Sequence, residues 1–99
     1  MPIEVRTTAV FDKWLARVAD QRAVARIQAR IARLVDGNSG DVKPAGEGVS
    51  EMRINYGPGY RLYYVGHGPA LIILLCGGDK TTQAKDIASA KELARELDD

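Results

Sequence analysis

The sequence predicts a single α+β domain over residues 1–99, and three observations carry that reading. Apolar residues recur at helical spacing from Thr8 to Asp36, alternate at strand spacing from Val49 to Cys76 between glycine-rich turns, and return to helical spacing after Thr82. Helices and strands that are grouped rather than interleaved imply a mostly antiparallel meander with a helical hairpin laid on one face. A chain of 99 residues has room for one core, and 45% hydrophobic with 27% charged residues is the balance of a folded globular chain rather than a disordered or fibrous one.

Taken in order, Met1 to Arg6 reads as a short strand with Ile3 and Val5 on one side. Thr7 or Thr8 then offers a helix N-cap, and Val10, Phe11, Trp14, Leu15 and Val18 give an amphipathic helix from Thr8 to Ala19. Asp20 caps a second helix, Gln21 to Asp36, whose inner side holds Val24, Ile27, Ile31, Leu34 and Val35 and which Gly37 ends. Its other side carries Arg22, Arg26, Arg30 and Arg33 within an arc of roughly 80°. That stripe reads as a solvated charged face, with nucleic-acid phosphates as its functional alternative.

Asn38 to Gly48 mixes glycine, proline and charge and is expected to be a loop. Met52 and Ile54 alternate with Glu51, Arg53 and Asn55 in a strand that Gly57, Pro58 and Gly59 turn back into a second, where Leu62 and Tyr64 alternate with Arg61, Tyr63 and Val65. After the turn at Gly66 to Pro69, Leu71 to Cys76 is apolar on both faces, as an interior strand is. Gly77 and Gly78 should break it. Thr81 or Thr82 can then cap a last helix burying Ile87, Ala90, Leu93, Ala94 and Leu97.

Several function classes are excluded. The apolar run Ala70 to Cys76 is too short to span a bilayer and Met1 to Arg6 is unlike a secretory leader, so a cytoplasmic protein is expected. Cys76 reads as a small hydrophobe, and His67, in a glycine-rich turn, as an exposed side chain. These two residues make no ligand cluster, so neither a metal nor another cofactor is expected. Gly77 and Gly78 precede Asp79 rather than a lysine and hydroxyl pair, which excludes a nucleotide-phosphate loop. The net charge of +1 gives no support by itself to nucleic-acid binding. The distribution is uneven, with a mildly basic body and an acidic tail from Thr82 to Asp99.

If Met52, Ile54, Leu62 and Tyr64 face the helical hairpin, then Glu51, Arg53, Asn55, Arg61 and Tyr63 project from the opposite, free face of the sheet. The turn between the strands would set Arg53 against Arg61. Like charges so placed repel unless an anion lies between them, and guanidinium forks suit phosphate. The structural reading is that Glu51 neutralises Arg53 on an exposed sheet. Tyr63 would either stack on a base or serve as a strand former, and Lys80 lies where the chain leaves the sheet.

The runs Lys43-Pro44, Gly46-Glu47-Gly48-Val49-Ser50-Glu51-Met52-Arg53-Ile54, Tyr56-Gly57-Pro58-Gly59-Tyr60-Arg61-Leu62-Tyr63-Tyr64 and Leu74-Leu75-Cys76-Gly77-Gly78-Asp79-Lys80 together resemble the addiction-module killer proteins. These are the HigB-like branch of the RelE/ParE toxins. The resemblance covers nearly the whole chain and implies the same order of elements. It implies a toxin of a type II toxin-antitoxin module, partnered by a small antitoxin that in this branch is commonly a helix-turn-helix repressor, in an oligomeric complex. It further implies metal-independent endoribonuclease cleavage of mRNA in the ribosomal A site, blocking translation. By that resemblance Arg53 and Arg61 would stabilise phosphorane charge with help from Lys80, Tyr63 would stack or hydrogen-bond, and Glu51 would be the base. Several nuclease members carry a histidine or tyrosine near the chain end, whereas Ala94 to Asp99 has neither. ParE-like relatives of the same fold inhibit DNA gyrase without a catalytic constellation, and a degenerate toxin that only binds its antitoxin as co-repressor is the third reading.

Overall fold

In the computed structural model, which describes residues 2–97, the chain runs β1 (Glu4–Thr7), α1 (Ala9–Arg17), α2 (Gln21–Val35), β2 (Val42–Gly46), β3 (Val49–Ile54), β4 (Tyr60–Gly66), β5 (Leu71–Gly78), a 3-10 turn (Lys80–Thr82) and α3 (Gln83–Leu97). The Met1 end of the expected first strand and Asp98 and Asp99 of the acidic tail lie outside the described residues. The strands form one sheet in the order β1-β5-β4-β3-β2, antiparallel except where β1 pairs parallel with β5. The α+β class holds, and each expected element appears in its expected order, with one further strand, β2, between them.

The helical hairpin forms as its caps dictate. The Thr8 side chain accepts from Phe11 N–H at 3.1 Å and donates its own proton to the Leu75 carbonyl at 2.5 Å, fastening the start of α1 to the central strand. Asp20 accepts from Arg22 N–H at 2.9 Å, and Gly37 closes α2 in the left-handed region at φ 87°. Phe11, Ile27 and Leu34 from these helices meet Met52, Ile54, Leu62, Tyr64 and Leu74 from the sheet in one buried cluster.

Four expectations need correction. The segment read as a loop contains β2, an edge strand paired with β3 and irregular between Pro44 and Gly46. Proline cannot donate to a ladder, and at an edge it does not have to. Gly77 and Gly78 do not break the last strand but complete it, opposite Leu62 and Arg61. Asp79, not a threonine, caps the turn that follows, with Thr81 N–H donating to it at 2.8 Å and Thr82 answering in a capping box. The fourth correction is the largest. The sheet face opposite the hairpin is covered by α3, which packs Ala90, Ile87, Leu93 and Ala94 against Val49, Tyr63, Leu75 and Cys76. Leu97, expected in that core, is 39% exposed.

A register shift fits β5 to both layers. Tyr63 pairs with Cys76 and Tyr64 with Leu74, so Leu75 is an extra residue. Beyond it the parity of the strand is reversed. Cys76 joins Leu75 on the α3 side, Gly77 turns towards the hairpin and Gly78 towards α3. A β-carbon on Gly77 would overlap the Trp14 indole, and one on Gly78 the Asp86 carboxylate.

Two predictions follow from this packing. Gly77→Ala should push Trp14 and α1 off the strand, destabilising by about 1–3 kcal/mol as overpacked cores do, whereas Gly66→Ala, which meets open space, should cost under about 1 kcal/mol. Urea unfolding of the two variants checks this. The second concerns pH. Burial, then the nearby Asp86 carboxylate, push the Cys76 thiol up from 9.0 to about 12. Burial, reinforced by Glu51, likewise raises the Tyr63 hydroxyl above its ordinary 10.0. Both groups release protons more readily unfolded than folded, so stability is complete below pH 9 and falls as pH rises towards 12, with a slope of up to about 1.4 kcal/mol per pH unit for each group. In Cys76→Ala the decline should begin about one pH unit later, where Tyr63 starts to titrate in the unfolded chain. Urea midpoints from pH 8 to 11 that coincide in slope for both proteins would contradict it.

Candidate functional site

The pairing of β3 with β4 sets Arg53 directly opposite Arg61, and the pairing of β4 with β5 sets Arg61 opposite Gly78. On the Arg61 side of the sheet, Gly78 leaves room for the Asp86 carboxylate and the Thr82 hydroxyl. The capped turn after it lifts Lys80 to the same place. A cleft of ≈ 400 Å³ results, lined by Asp41, Arg53, Ile54, Asn55, Gly59, Arg61 and Lys80. Arg53, Arg61 and Lys80, anticipated from the sequence, are thus brought together at the end of the sheet that α3 leaves uncovered.

Glu51 and Tyr63 are not with them. Both are fully buried beneath the start of α3, which overturns the expectation that they project from a free face. Glu51 Oε2 accepts from Gln83 Nε2 at 2.8 Å and from the Tyr63 hydroxyl at 3.3 Å, while its Oε1 has no hydrogen-bond partner. The charge does not neutralise Arg53. A buried carboxylate gripping the first residue of α3 holds the helix on the sheet, and the Tyr63 ring presents no face on which a base could stack.

Arg53 is instead neutralised by Asp41, at 2.9 Å between Nη2 and Oδ1, in a pair whose side chains are 38% and 56% exposed. Such an exposed pair is weak and exchangeable, on the order of 1 kcal/mol or less. Sequence reasoning missed Asp41 because it lies in the segment read as a loop. Its signal was the β2 edge strand that follows, which puts the Asp41 carbonyl on Arg53 N–H at 2.9 Å. Arg61 has no ion-pair partner among the described residues, and the Nε atoms of Arg53 and Arg61 are buried without acceptors. Two opposed guanidiniums with unspent donors, one free and one loosely held, form a site that an anion completes.

The α2 stripe divides into two kinds of residue. Arg30 is turned inward, donating to the Arg53 carbonyl at 2.6 Å and the Ser39 carbonyl at 3.0 Å, and so ties the segment before β2 to the end of β3. Arg26 lies over the Tyr56 ring, 4.6 Å from its centroid, and Arg22, Arg26 and Arg33 are exposed. His67 is exposed at the opposite end of the sheet. Among the described residues no group of three or more histidine, cysteine, aspartate or glutamate side chains is placed to hold a metal ion. No helix among them is long and apolar enough to cross a membrane.

Comparison with known protein families matches none of them. The chain is 53% identical over 97 residues to an uncharacterised protein of Haemophilus influenzae, spanning 98% of each sequence. In structure it is similar to a chain of the toxin-antitoxin complex RelBE2 from Mycobacterium tuberculosis, with a TM-score of 0.65 over 81% of this chain and all of that one, at 21% identity. The α+β fold expected from the sequence is therefore found, similar to that of a chain of the RelBE2 complex, and by sequence the chain belongs to the same family as the Haemophilus influenzae protein.

Proposed function

We propose that this chain is the toxin of a type II toxin-antitoxin module, in the HigB-like branch, and that it cuts messenger RNA in the ribosomal A site without a metal ion. The observation that carries the proposal is the convergence of Arg53, Arg61 and Lys80 on one cleft whose lining holds a single acid, Asp41. The partner is a small antitoxin, of the helix-turn-helix kind, that silences the toxin in an oligomeric complex by covering this cleft or the helical hairpin.

The chemistry asks for little beyond positioning. The 2′-hydroxyl attacks the adjacent phosphorus, the bond to the 5′-oxygen breaks, and one strand ends in a cyclic phosphate while the other begins with a hydroxyl. Arg53 and Arg61 hold the non-bridging oxygens, where charge accumulates in the transition state, and each such donor contributes on the order of 3–4 kcal/mol. Lys80 faces the leaving oxygen and supplies its proton. When a phosphate takes Arg53, Asp41 is released, and it becomes the carboxylate that accepts the 2′-hydroxyl proton. Glu51 and Tyr63, enclosed under α3, act by keeping β3, β4 and α3 in register.

A second reading, a ParE-like inhibitor of DNA gyrase or a degenerate toxin acting only as antitoxin-binding co-repressor, is favoured by that same burial, which removes two candidate acid-base groups from the cleft. Primer extension on a reporter message in a reconstituted translation reaction separates the readings. Ribosome-dependent ends in the A-site codon, reduced about 10²–10³-fold in Arg53→Ala or Arg61→Ala, are expected. Intact message beside a toxic protein would reject cleavage and direct attention to gyrase supercoiling. Asp41→Asn should split binding from turnover. Its oligonucleotide affinity should rise a few-fold because Arg53 loses its competitor, while cleavage falls by about 10²-fold or more. A variant that gains or loses both together would exclude this role for Asp41.

A further inference from the structure

A second groove adjoins the first. It measures ≈ 240 Å³ and is lined by Arg26, Ala29, Arg30, Arg33, Ile54 and Asn55. Ile54 and Asn55 line the Arg53, Arg61 and Lys80 cleft as well, so the two depressions lie on either side of the residues where β3 ends. No acidic side chain lines the second groove.

Ion pairs among the described residues go to Arg6, Arg53, Lys91 and Arg95, and none to Arg26 or Arg33. The sequence of α2, Gln21–Val35, contains no aspartate or glutamate. A helix face that is merely solvated gains from carboxylates three or four residues from its cations, whereas arginines at that spacing repel one another. Arg22, Arg26, Arg30 and Arg33 have that spacing, with no carboxylate on the helix between them. Arg30 is relieved by the backbone carbonyls it ties together. Arg26 sits over the Tyr56 ring, 4.6 Å from its centroid, and Tyr56 is itself held by its hydroxyl, which donates to Asp20 Oδ2 at 3.1 Å. The exposed charges of Arg26 and Arg33 have no ion-pair partner among the described residues.

We infer that Arg26 and Arg33 form a second phosphodiester contact, continuous with the cleft across Ile54 and Asn55, which carries the strand flanking the cleaved bond of a single-stranded RNA. The inference rests on the reading of the cleft as the place where RNA is cut. Two features fit RNA better than an acidic protein segment. Guanidinium forks match phosphate oxygens along a repeating backbone, and an arginine beside an aromatic ring is a platform on which an unpaired base stacks. A carboxylate-rich peptide would use the charge and leave the platform idle.

The experiment is fluorescence anisotropy with a labelled oligouridine of three nucleotides and one of twelve, on the folded chain and on two double variants. Arg26→Ala/Arg33→Ala should lose about tenfold in affinity for the dodecamer, with the dependence of log K on log salt reduced by about 1.4, while the trimer binds as before. Arg53→Ala/Arg61→Ala should weaken both lengths. Urea midpoints of the Arg26/Arg33 variant should match the parent, since both side chains are exposed. If the dodecamer is unaffected by loss of Arg26 and Arg33 but weakened by loss of Arg53 and Arg61, the second contact is wrong and the cleft stands. If both lengths ignore Arg53 and Arg61 while the dodecamer needs Arg26 and Arg33, the second contact stands and the cleft reading fails. Polyglutamate of matched charge that displaces the dodecamer as well as unlabelled RNA does would overturn the assignment to RNA.

Discussion

The last two residues of β5 carry no side chains, and the remainder of the molecule is arranged around that fact. A strand covered on both faces has to fit two layers at once, and at its end the layers crowd closest. Trp14 fills the space beside Gly77 and Asp86 the space beside Gly78. The Leu75 bulge sets which glycine faces which layer, and Thr8 satisfies the bulged residue's carbonyl while starting α1. One irregularity therefore fixes the depth of the hairpin, the approach of α3 and the direction in which the chain leaves the sheet. Lys80 stands beside Arg61 and Arg53 as a consequence.

Much of this could be read from the sequence, because alternation on β3 and β4 is unambiguous. Met52, Ile54, Leu62 and Tyr64 face the hairpin, and the turn at Gly57 to Gly59 fixes Arg53 against Arg61. What misleads is a buried face written in polar letters. Glu51 and Tyr63 look solvent-facing because charge and hydroxyl normally are, yet Gln83 closes the network and α3 seals it. The apolar stripe of α3 was legible, but the side it would cover was not, since that side announced itself as charged. The same holds at smaller scale for Pro44 in β2 and for Gly77 and Gly78 in β5, residues that discourage strands in isolation and are tolerated at an edge or required by close packing.

The buried network and the open cleft lie on neighbouring rungs of the same strand pair. Glu51 opposes Tyr63, and two residues on, Arg53 opposes Arg61. The first rung is under α3 and the second is beyond the start of that helix. Burial separates them into a sealed packing contact and an open cationic cleft. A carboxylate enclosed with a lone unpartnered oxygen has a cost, which is borne only if losing it would cost more. Here the loss would free Gln83 and Tyr63 together and with them the first turn of α3, whose preceding turn presents Lys80.

Placing two arginines opposite each other without a dedicated counterion also has a cost, and the way the fold limits it bears on how the site works. Asp41 supplies one carboxylate, from an exposed segment and at the rim, where a surface pair is worth little and can be exchanged. Had Glu51 reached Arg53 from inside the sheet, the pair would have been buried, and an incoming phosphate would have had to break it against a low-dielectric surround. The chain keeps its inner acid for α3 and its outer acid for the arginine. It thereby holds the cleft cationic enough to attract an anion and loosely enough closed to admit one. A carboxylate from any binding partner placed where Asp41 now sits would need only a few favourable contacts elsewhere to turn the same weak closure into a durable one.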